Sequence, residues 1–474
     1  MVVKVFKKVS RDPVHSEIYL YPLEILVADT KVVQRLRFLS QLAGATMVYP
    51  GATHTRFAHS LGTMHIAGIY ARNLFDDHSR IRLIRLAALL HDVGHGPFSH
   101  QFDDVVFKKY GYEDGHDEFR DRLILEKLPE EMKRVYNTYN SRLKRAVEED
   151  VTKTVGDLPI EEAFQEIAKR VVEIFRGEET GSVDFNVIQG PLGADRLDFL
   201  LRDSYHSGVG HFAPMNVDRV LRNSLVRVKD GKEILCYHVK VVDNIYSILF
   251  SRFMMYKNVY FHKTSRAADL MIQEMLSYAC EILNLEERLK DLDEFLELTD
   301  YSILKELEMK GDERVKKLIN RFKNRDLWKM VVERPFSAEG FDPSELSLSA
   351  AQNLIDRIVE NIRSVLESGD VEDEDKKILS DICERKDDYF RIDTPYKLTI
   401  FHPDEFLQNN VFLYDPGSDE VLTVDEYVKK YPAYRLMVSN MIQIVRIYVT
   451  EDVREILYRY RVVPEDGRRA VTRW

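Results

Sequence analysis

LAALLHDVGHGPFSH, residues Leu86–His100, joins a continuous apolar run to a vicinal His91-Asp92 pair and then to a glycine-rich turn. The apolar half has the character of a buried helix. Neighbouring side chains on a helix diverge by about 100° and share no face. At a helix end, however, an imidazole and a carboxylate can both reach one ion lying beside it. A carboxylate buried there is costly unless it is paired or bound to metal. Gly94 and Gly96 are expected to let the backbone turn and approach a ligand closely, and His95 and His100 then return toward the same space. An isolated His-Asp dipeptide is more often a satisfied buried pair. Here the apolar helix before it and the two histidines after it favour a metal site.

Working outward, HTRFAHS (54–60) places His59 at a helix start with Arg56 three residues earlier on the same face. Downstream, GADRLDFLLRD (193–203) places Asp195 at a helix N-terminus. His59, His91, Asp92 and Asp195 make a mixed nitrogen and oxygen donor set, suited to Fe, Mn, Zn or Ni and less to Ca. Four protein ligands would leave positions open for water and a substrate oxygen, as metal-assisted hydrolysis requires.

The whole chain has the composition of a globular protein. Its 474 residues are 45% hydrophobic and 31% charged, which excludes disorder and low-complexity classes. Sixty-eight basic against 79 acidic residues give a net charge of −11, so a broad nucleic-acid surface is not indicated, although a local basic patch survives that argument. No apolar run approaches the roughly 18 to 20 residues of a membrane span. The N-terminal residues lack the apolar core of a signal peptide. Cys236, Cys280 and Cys383 form no CxxC pair, so neither a disulfide framework nor a zinc ribbon is expected, and a reducing cytoplasm is the simplest location. Fourteen histidines are unevenly spread, eight of them between His54 and His116.

Periodicity predicts a short N-terminal strand, then a helix over about 23–42 broken near Asp29-Thr30. Further helices follow over 57–75, 81–94, 115–150, 157–177 and 194–208. Asp230-Gly231 between alternating residues predicts a hairpin. One long helix is expected from about Val241 to Leu283. The charge-dense stretch 284–385 predicts solvated helices and links, and from Pro395 strands mix with helices (YKLTIFH, VFLYD, VRIYV). The expected fold is mainly α: a helical core over residues 1–285, and a smaller α+β region over 286–474, helical first and then mixed.

The order His59, His91-Asp92, Asp195 is the H…HD…D signature of the HD phosphohydrolase superfamily. The longer strings DTKVVQRLRFLSQLAGATMVYPGATHTRFAHSLG, HDVGHGPFSHQFD and YKNVYFHK resemble the HD-domain dNTP triphosphohydrolase family, which includes the SAM-and-HD-domain enzymes and bacterial dGTPase and dNTPase homologues. The resemblance runs from about Lys8 to Lys263, with a weaker echo near VRIYVTED. It starts so near the N-terminus that no SAM domain is expected before it.

That resemblance implies a metal-dependent hydrolysis of dNTP at the α-phosphorus, releasing deoxynucleoside and triphosphate. The metal would be one divalent ion, Fe, Mn, Zn, Ni or Mg, on His59, His91, Asp92 and Asp195. His95 and His116 match histidines around the α-phosphate. His100, oriented by Asp103 one turn later, is expected as the acid for the leaving 5′-oxygen. Arg56, Arg196, Arg252 and Lys263 would neutralise the triphosphate, Arg196 standing where close relatives have lysine. Gln41, Leu42, Asp203 and Tyr260 match the sugar and base pocket. Phe199 replaces the tyrosine of near relatives, and Phe261 replaces a polar residue beside Tyr260, so base preference does not transfer.

The resemblance extends to activation by GTP or a dNTP and to a homo-oligomer, dimer or tetramer. Lys8, Val9, Asp29, Gln34 and Arg37 match a guanine-nucleotide site, and Lys240 matches a basic residue of a second site whose expected arginine is His238 here. Two other functions fit the same residues. One is a different HD phosphohydrolase activity, nucleotidase or phosphodiesterase. The other is a nucleotide-sensing or RNA-binding module, against which the intact ligand set argues.

Overall fold

The computed structural model describes residues 7–214, 216–336, 343–394, 411–431 and 443–463. Among the described residues it is mainly helical, with three small sheets. The helix Arg56–Leu74 packs against both His78–Leu90 and Ala194–His206, and these three carry the predicted metal ligands. His78–Leu90 is buried along all of its second half, as its apolar run requires, and Asp77 opens it by accepting from Ser79 N. Ile160–Arg176 lies behind it, burying Phe164, Ile167, Val171 and Val172 at helical spacing.

Strands β1 (Lys8–Asp12) and β2 (Ser16–Leu20) form an antiparallel hairpin ahead of the helices. Strands β3 (Ser224–Lys229) and β4 (Lys232–His238) form the second hairpin, with Asp230 and Gly231 both at positive φ, the geometry a two-residue turn needs. Far along the chain, β7 (Phe412–Asp415) adds in parallel to β4, and β8 (Glu420–Thr423) pairs back on β7. The third sheet has the order β5 (Lys329–Phe336), β9 (Gln443–Val449), β6 (Arg391–Asp393), antiparallel throughout.

Among the described residues there are two large hydrophobic cores. The larger takes in residues from Ile18 to Trp328, including Leu289, Phe295, Leu307 and Phe322 from the charge-dense helices, together with Val411, Leu413, Val424 and Tyr448 from further along the chain. The smaller holds Val331, Ile355, Ile358, Ile447 and Leu457 under the third sheet. The predicted strand at YKLTIFH lies outside the described residues. Among the described residues no helix is long and apolar enough to cross a membrane.

One predicted element is corrected. The continuous helix expected over 241–283 is two: Val242–Met255 unwinds through a π-turn at Tyr256–Tyr260, and Lys263–Ile282 starts afresh. His262 caps the second by accepting from Thr264 N at 3.2 Å. The interruption brings Tyr260 onto the wall of a cavity that His100 and Asp203 also line.

Candidate active site

His91 ends the buried helix and His59 sits in the first turn of its neighbour, so the two rings meet edge to face with Nε2 atoms 3.2 Å apart. Asp195 reaches both, at 3.0 Å from His59 Nε2 and 3.6 Å from His91 Nε2. Asp92 Oδ1 lies 3.2 Å from His91 Nε2. The donor atoms of His59, His91 and Asp195 all fall within 4.8 Å of one another. Tetrahedral ligands about 2.0–2.1 Å from an ion stand roughly 3.4 Å apart, so these spacings suit one shared cation.

The far side of each imidazole supports the same conclusion. His91 Nδ1 lies 2.8 Å from the Ala88 carbonyl, and His59 Nδ1 lies 2.8 Å from Asp198 Oδ2. With those nitrogens as the donors, both Nε2 lone pairs face the cluster, the usual tautomer of a metal-binding histidine. Burial opposes a charged His59 ring, but the Asp195 and Asp198 carboxylates outweigh it and hold the group up at about 10. An ion on Nε2 would stand in place of that proton. The donor set therefore fits a divalent transition metal.

Asp198 is itself pinned by Arg202 Nε at 2.8 Å and His15 Nε2 at 2.6 Å, and Arg202 pairs with Asp12 at 2.8 Å. Gly62 makes the room, since a Cβ there would overlap the Asp198 carboxylate. Asp198, Arg202, Asp12 and His15 had no assigned role in the sequence. Asp198 and Arg202 stand three and seven residues after Asp195, on the helix face that turns toward it, and that spacing was the available signal.

Beyond Asp92 the chain turns sharply, though not as expected. Gly94 and Gly96 make room for protein rather than for a ligand. A Cβ at Gly94 would overlap the His116 backbone, and one at Gly96 the Phe102 ring. The left-handed residues are Phe98 and Ser99. The turn delivers His95 and His100 next to His116. His95 stacks on His116 at 4.4 Å, and His100 meets His95 edge-on at 5.1 Å. Asp103 Oδ2 lies between them, 3.1 Å from His100 Nδ1 and 3.4 Å from His116 Nδ1. Burial and the nearby Arg56 hold His95 well below the ordinary histidine value, so its ring is neutral. His100 stands at the surface of the cluster, its side chain 71% exposed.

Arg56 bridges the two groups. Its Nη1 pairs with Asp92 Oδ2 at 2.6 Å and its Nε donates to Ser99 Oγ at 2.7 Å, while Nη2 is buried with no hydrogen-bond partner. Next to His100 opens a cavity of about 250 Å³ lined by Gln41, Leu42, Phe199, Asp203 and Tyr260 among others. Tyr260 donates to Asp203 Oδ2 at 2.7 Å, and His54 Nε2 lies 2.8 Å from Asp203 Oδ1. His206 stacks on His54 at 4.5 Å, so both belong to the support of this pocket. Phe199 and Tyr260 meet edge to face at 6.4 Å, and Gln41 Oε1 is buried without a partner.

Two family models match the chain: the HD domain over residues 56–173 and the HD associated region over residues 217–385. The chain carries an HD domain. A Methanocaldococcus jannaschii protein of unassigned activity is 30% identical over 325 residues, 69% of this chain and 59% of that one. The deoxynucleoside triphosphate triphosphohydrolase SAMHD1 of Gallus gallus is 27% identical over 353 residues, 69% of this chain and 56% of its own length. The Homo sapiens protein of that name is 27% identical over 357 residues, 69% and 55%. The chain thus spans less than two thirds of the length of each of these relatives. A crystal structure of a hypothetical protein from Aquifex aeolicus superposes with a TM-score of 0.63 over 96% of this chain and 100% of that one, at 23% identity, which shows the shared fold.

Other predicted residues stand further from the HD-domain cluster. Arg196 follows Asp195 and is half-buried, and the Arg252 guanidinium lies 5.6 Å from the Tyr256 ring. Lys263, expected at the triphosphate, borders a different cavity of about 320 Å³ with Arg325, Lys329, Arg454 and the Trp328 indole. Arg325 and Lys329 had drawn no notice in the sequence. Glu451 pairs with Lys329 at 2.9 Å and also with Arg454. The Arg321 and Arg391 guanidinium groups lie 4.7 and 4.8 Å from the Trp328 ring, whose Nε1 is buried and unpartnered. Of the expected nucleotide-regulatory residues, Lys8, Val9, Asp29 and Arg37 are exposed. Asp29 accepts from Tyr139 OH at 2.9 Å, Gln34 accepts from Arg37 Nε at 2.8 Å, and Arg37 lies over the Phe57 ring. Lys240 follows β4 and donates its amide to His238 Nδ1.

Proposed function

We propose that the protein is a metal-dependent deoxynucleoside triphosphate triphosphohydrolase that cleaves dNTP at the α-phosphorus. The observation that carries this is that the His59, His91, Asp195 cluster continues through Asp92 and His95 to His100, which borders the cavity whose wall holds the Asp203–Tyr260 hydrogen bond. His59, His91, Asp92 and Asp195 would hold the ion. A divalent ion there supplies a Lewis acid for a phosphate oxygen.

The chain's own residues do the rest. Asp203 accepts a sugar hydroxyl while Tyr260 and Phe199 pack against the sugar face. His95, its ring neutral, and His116 flank the α-phosphate, and Arg56, Arg196 and Arg252 offset the triphosphate charge. Water attacks the α-phosphorus, the bond to O5′ breaks, and His100, oriented by Asp103, gives its proton to the leaving oxygen. The products are a deoxynucleoside and triphosphate.

Activation by a second nucleotide and assembly into a dimer or tetramer belong to the same proposal, with exposed Lys8, Val9, Asp29 and Arg37 and half-buried Gln34 as the surface for a guanine nucleotide. The test is chromatographic product analysis with each dNTP and purified, metal-loaded protein, repeated with GTP or a second dNTP. Deoxynucleoside plus triphosphate is expected, and any monophosphate product overturns the reading in favour of a nucleotidase or phosphodiesterase. Four uncleaved dNTPs, with and without GTP, would favour a binding module.

A further inference from the structure

His100 reaches the histidine cluster because the chain reverses immediately before it, and two residues ill suited to the task make that reversal. Phe98 has φ 61° and Ser99 φ 58°, a region that residues with a Cβ enter only at a cost. Such strain persists where surrounding contacts over-determine it, and here they converge on Asp300. Its Oδ1 accepts from Phe98 N at 2.7 Å. Its Oδ2 accepts from Ser40 N at 2.9 Å and from Ser40 Oγ at 2.6 Å. The Ser40 carbonyl accepts from Ser99 Oγ at 2.6 Å, and Ser99 Oγ accepts from Arg56 Nε. One carboxylate therefore ties down the amide of the first strained residue directly and the hydroxyl of the second through Ser40.

Arg35 completes the clamp. Its Nη1 donates to the His95 carbonyl at 2.8 Å and its Nε to the Leu298 carbonyl at 3.0 Å, so the stretch before the turn and the stretch before Asp300 share one guanidinium. Burial pushes the Asp300 carboxyl above its ordinary value, while the Ser40 and Phe98 donors and the Arg35 charge pull it back. Asp300 opens the helix Asp300–Lys310, where a negative charge is favoured. It lies within the matched HD associated region and outside the HD domain match.

We propose that Asp300 is a positioning residue for proton delivery, holding the left-handed Phe98–Ser99 turn that sets where the His100 imidazole stands against the leaving oxygen. This rests on the assignment of His100 as proton donor. Proton transfer needs the donor within hydrogen-bond reach of the leaving atom, so a small displacement of the turn is felt in kcat rather than in binding. The HD associated region is then part of the catalytic apparatus and not only its scaffold.

The experiment compares Asp300→Asn, His100→Gln and the double variant in the full chain, on a dNTP and on bis(4-nitrophenyl) phosphate, whose nitrophenolate departs without a proton. Asparagine keeps the size of the side chain but sets an NH2 group against one of the donors. The single Asp300→Asn change is expected to lower kcat on dNTP about 100-fold, with KM within about threefold, metal content unchanged, and less than about threefold loss on the nitrophenyl ester. The double variant is expected to be no slower than His100→Gln, because the two changes remove one function. Equal losses on both substrates, multiplied losses in the double variant, or loss of metal would overturn the proposal. If Asp300→Asn fails to fold, Ser40→Ala removes one arm of the clamp and must show the same substrate split in smaller measure. A wild-type chain that cleaves the ester but no dNTP sinks the substrate assignment alone. Asp300 is then judged by histidine-labelled NMR, where an unmoved His100 signal in the variant overturns the proposal and a shifted one with His78 unmoved supports it.

Discussion

Asp198 Oδ2 stands 2.8 Å from His59 Nδ1, on the side of the ring opposite Asp195, and the carboxylate is fully buried. It fixes which nitrogen of His59 faces the cluster. Replacing it with asparagine keeps the shape and removes the charge that Arg202 and His59 share. Metal affinity of Asp198→Asn is expected to fall about 10- to 100-fold, read by competition with a chelator. Unchanged affinity in a folded variant would show that Asp198 only packs.

His91→Ala and Asp195→Ala are each expected to abolish hydrolysis and metal content together, because either change leaves three of the four donors and removes one that the other ligands lie around. Elemental analysis alongside the activity assay checks this. Turnover retained in either variant would remove the metal assignment.

The pocket wall makes a separable prediction. Tyr260→Phe deletes the hydroxyl that donates to Asp203 and leaves the carboxylate with His54 alone. A hydrogen bond to a charged group contributes about 1.5–3 kcal/mol, so KM for dNTP is expected to rise at least about tenfold while metal content stays constant. A loss of metal would place Tyr260 in the support of the cluster instead.

Stability should depend on pH through Glu24. Burial alone would raise this carboxyl, but Arg85, by charge and by hydrogen bonds at 2.6 and 2.8 Å, with Arg82 beside it, holds it down at about 2. A depressed carboxyl contributes stability above its unfolded pKa and loses it as pH falls through the folded one. The contribution is on the order of 3 kcal/mol at neutral pH, fading from about pH 4.5 toward pH 2. Glu24→Gln is expected to be destabilised by about 3–5 kcal/mol at pH 7, since it leaves buried Arg85 without a carboxylate and Arg82 with Asp150 alone. The gap from wild type in urea unfolding should narrow below pH 4.5; a gap that stays constant would remove the electrostatic account.

Local chemistry was legible and remote packing was not. The apolar run before His91, the histidine at the start of the next helix and the aspartate after a loop are short-range signals, and the structure brings those side chains together. The helical fold followed from periodicity in the same way. Asp300 left no such trace. It sits in a stretch whose charge density predicts solvent, and only the fold shows Phe295 and Leu298 beneath it in the larger core. Phe98 and Ser99 were equally silent, because a left-handed turn signals itself through glycine and Gly94 and Gly96 stood nearby. The break at Phe261–His262 was hidden by apolar residues that continue the helical period across it. Lys263 was placed by resemblance alone, and the break turns it toward another cavity.

Trp328 has a practical consequence. The chain has two tryptophans, and the other, Trp474, lies outside the described residues. Trp328 borders both the cavity of Lys263 and Arg325 and a groove of about 750 Å³ lined by Arg321 and Arg391. An anion drawn to Arg321, Arg391 or the lysines beside them would change the charges around that ring. The protein thus carries its own optical gauge of occupancy at the seam between its two cores, legible as tryptophan emission without label, substrate or turnover.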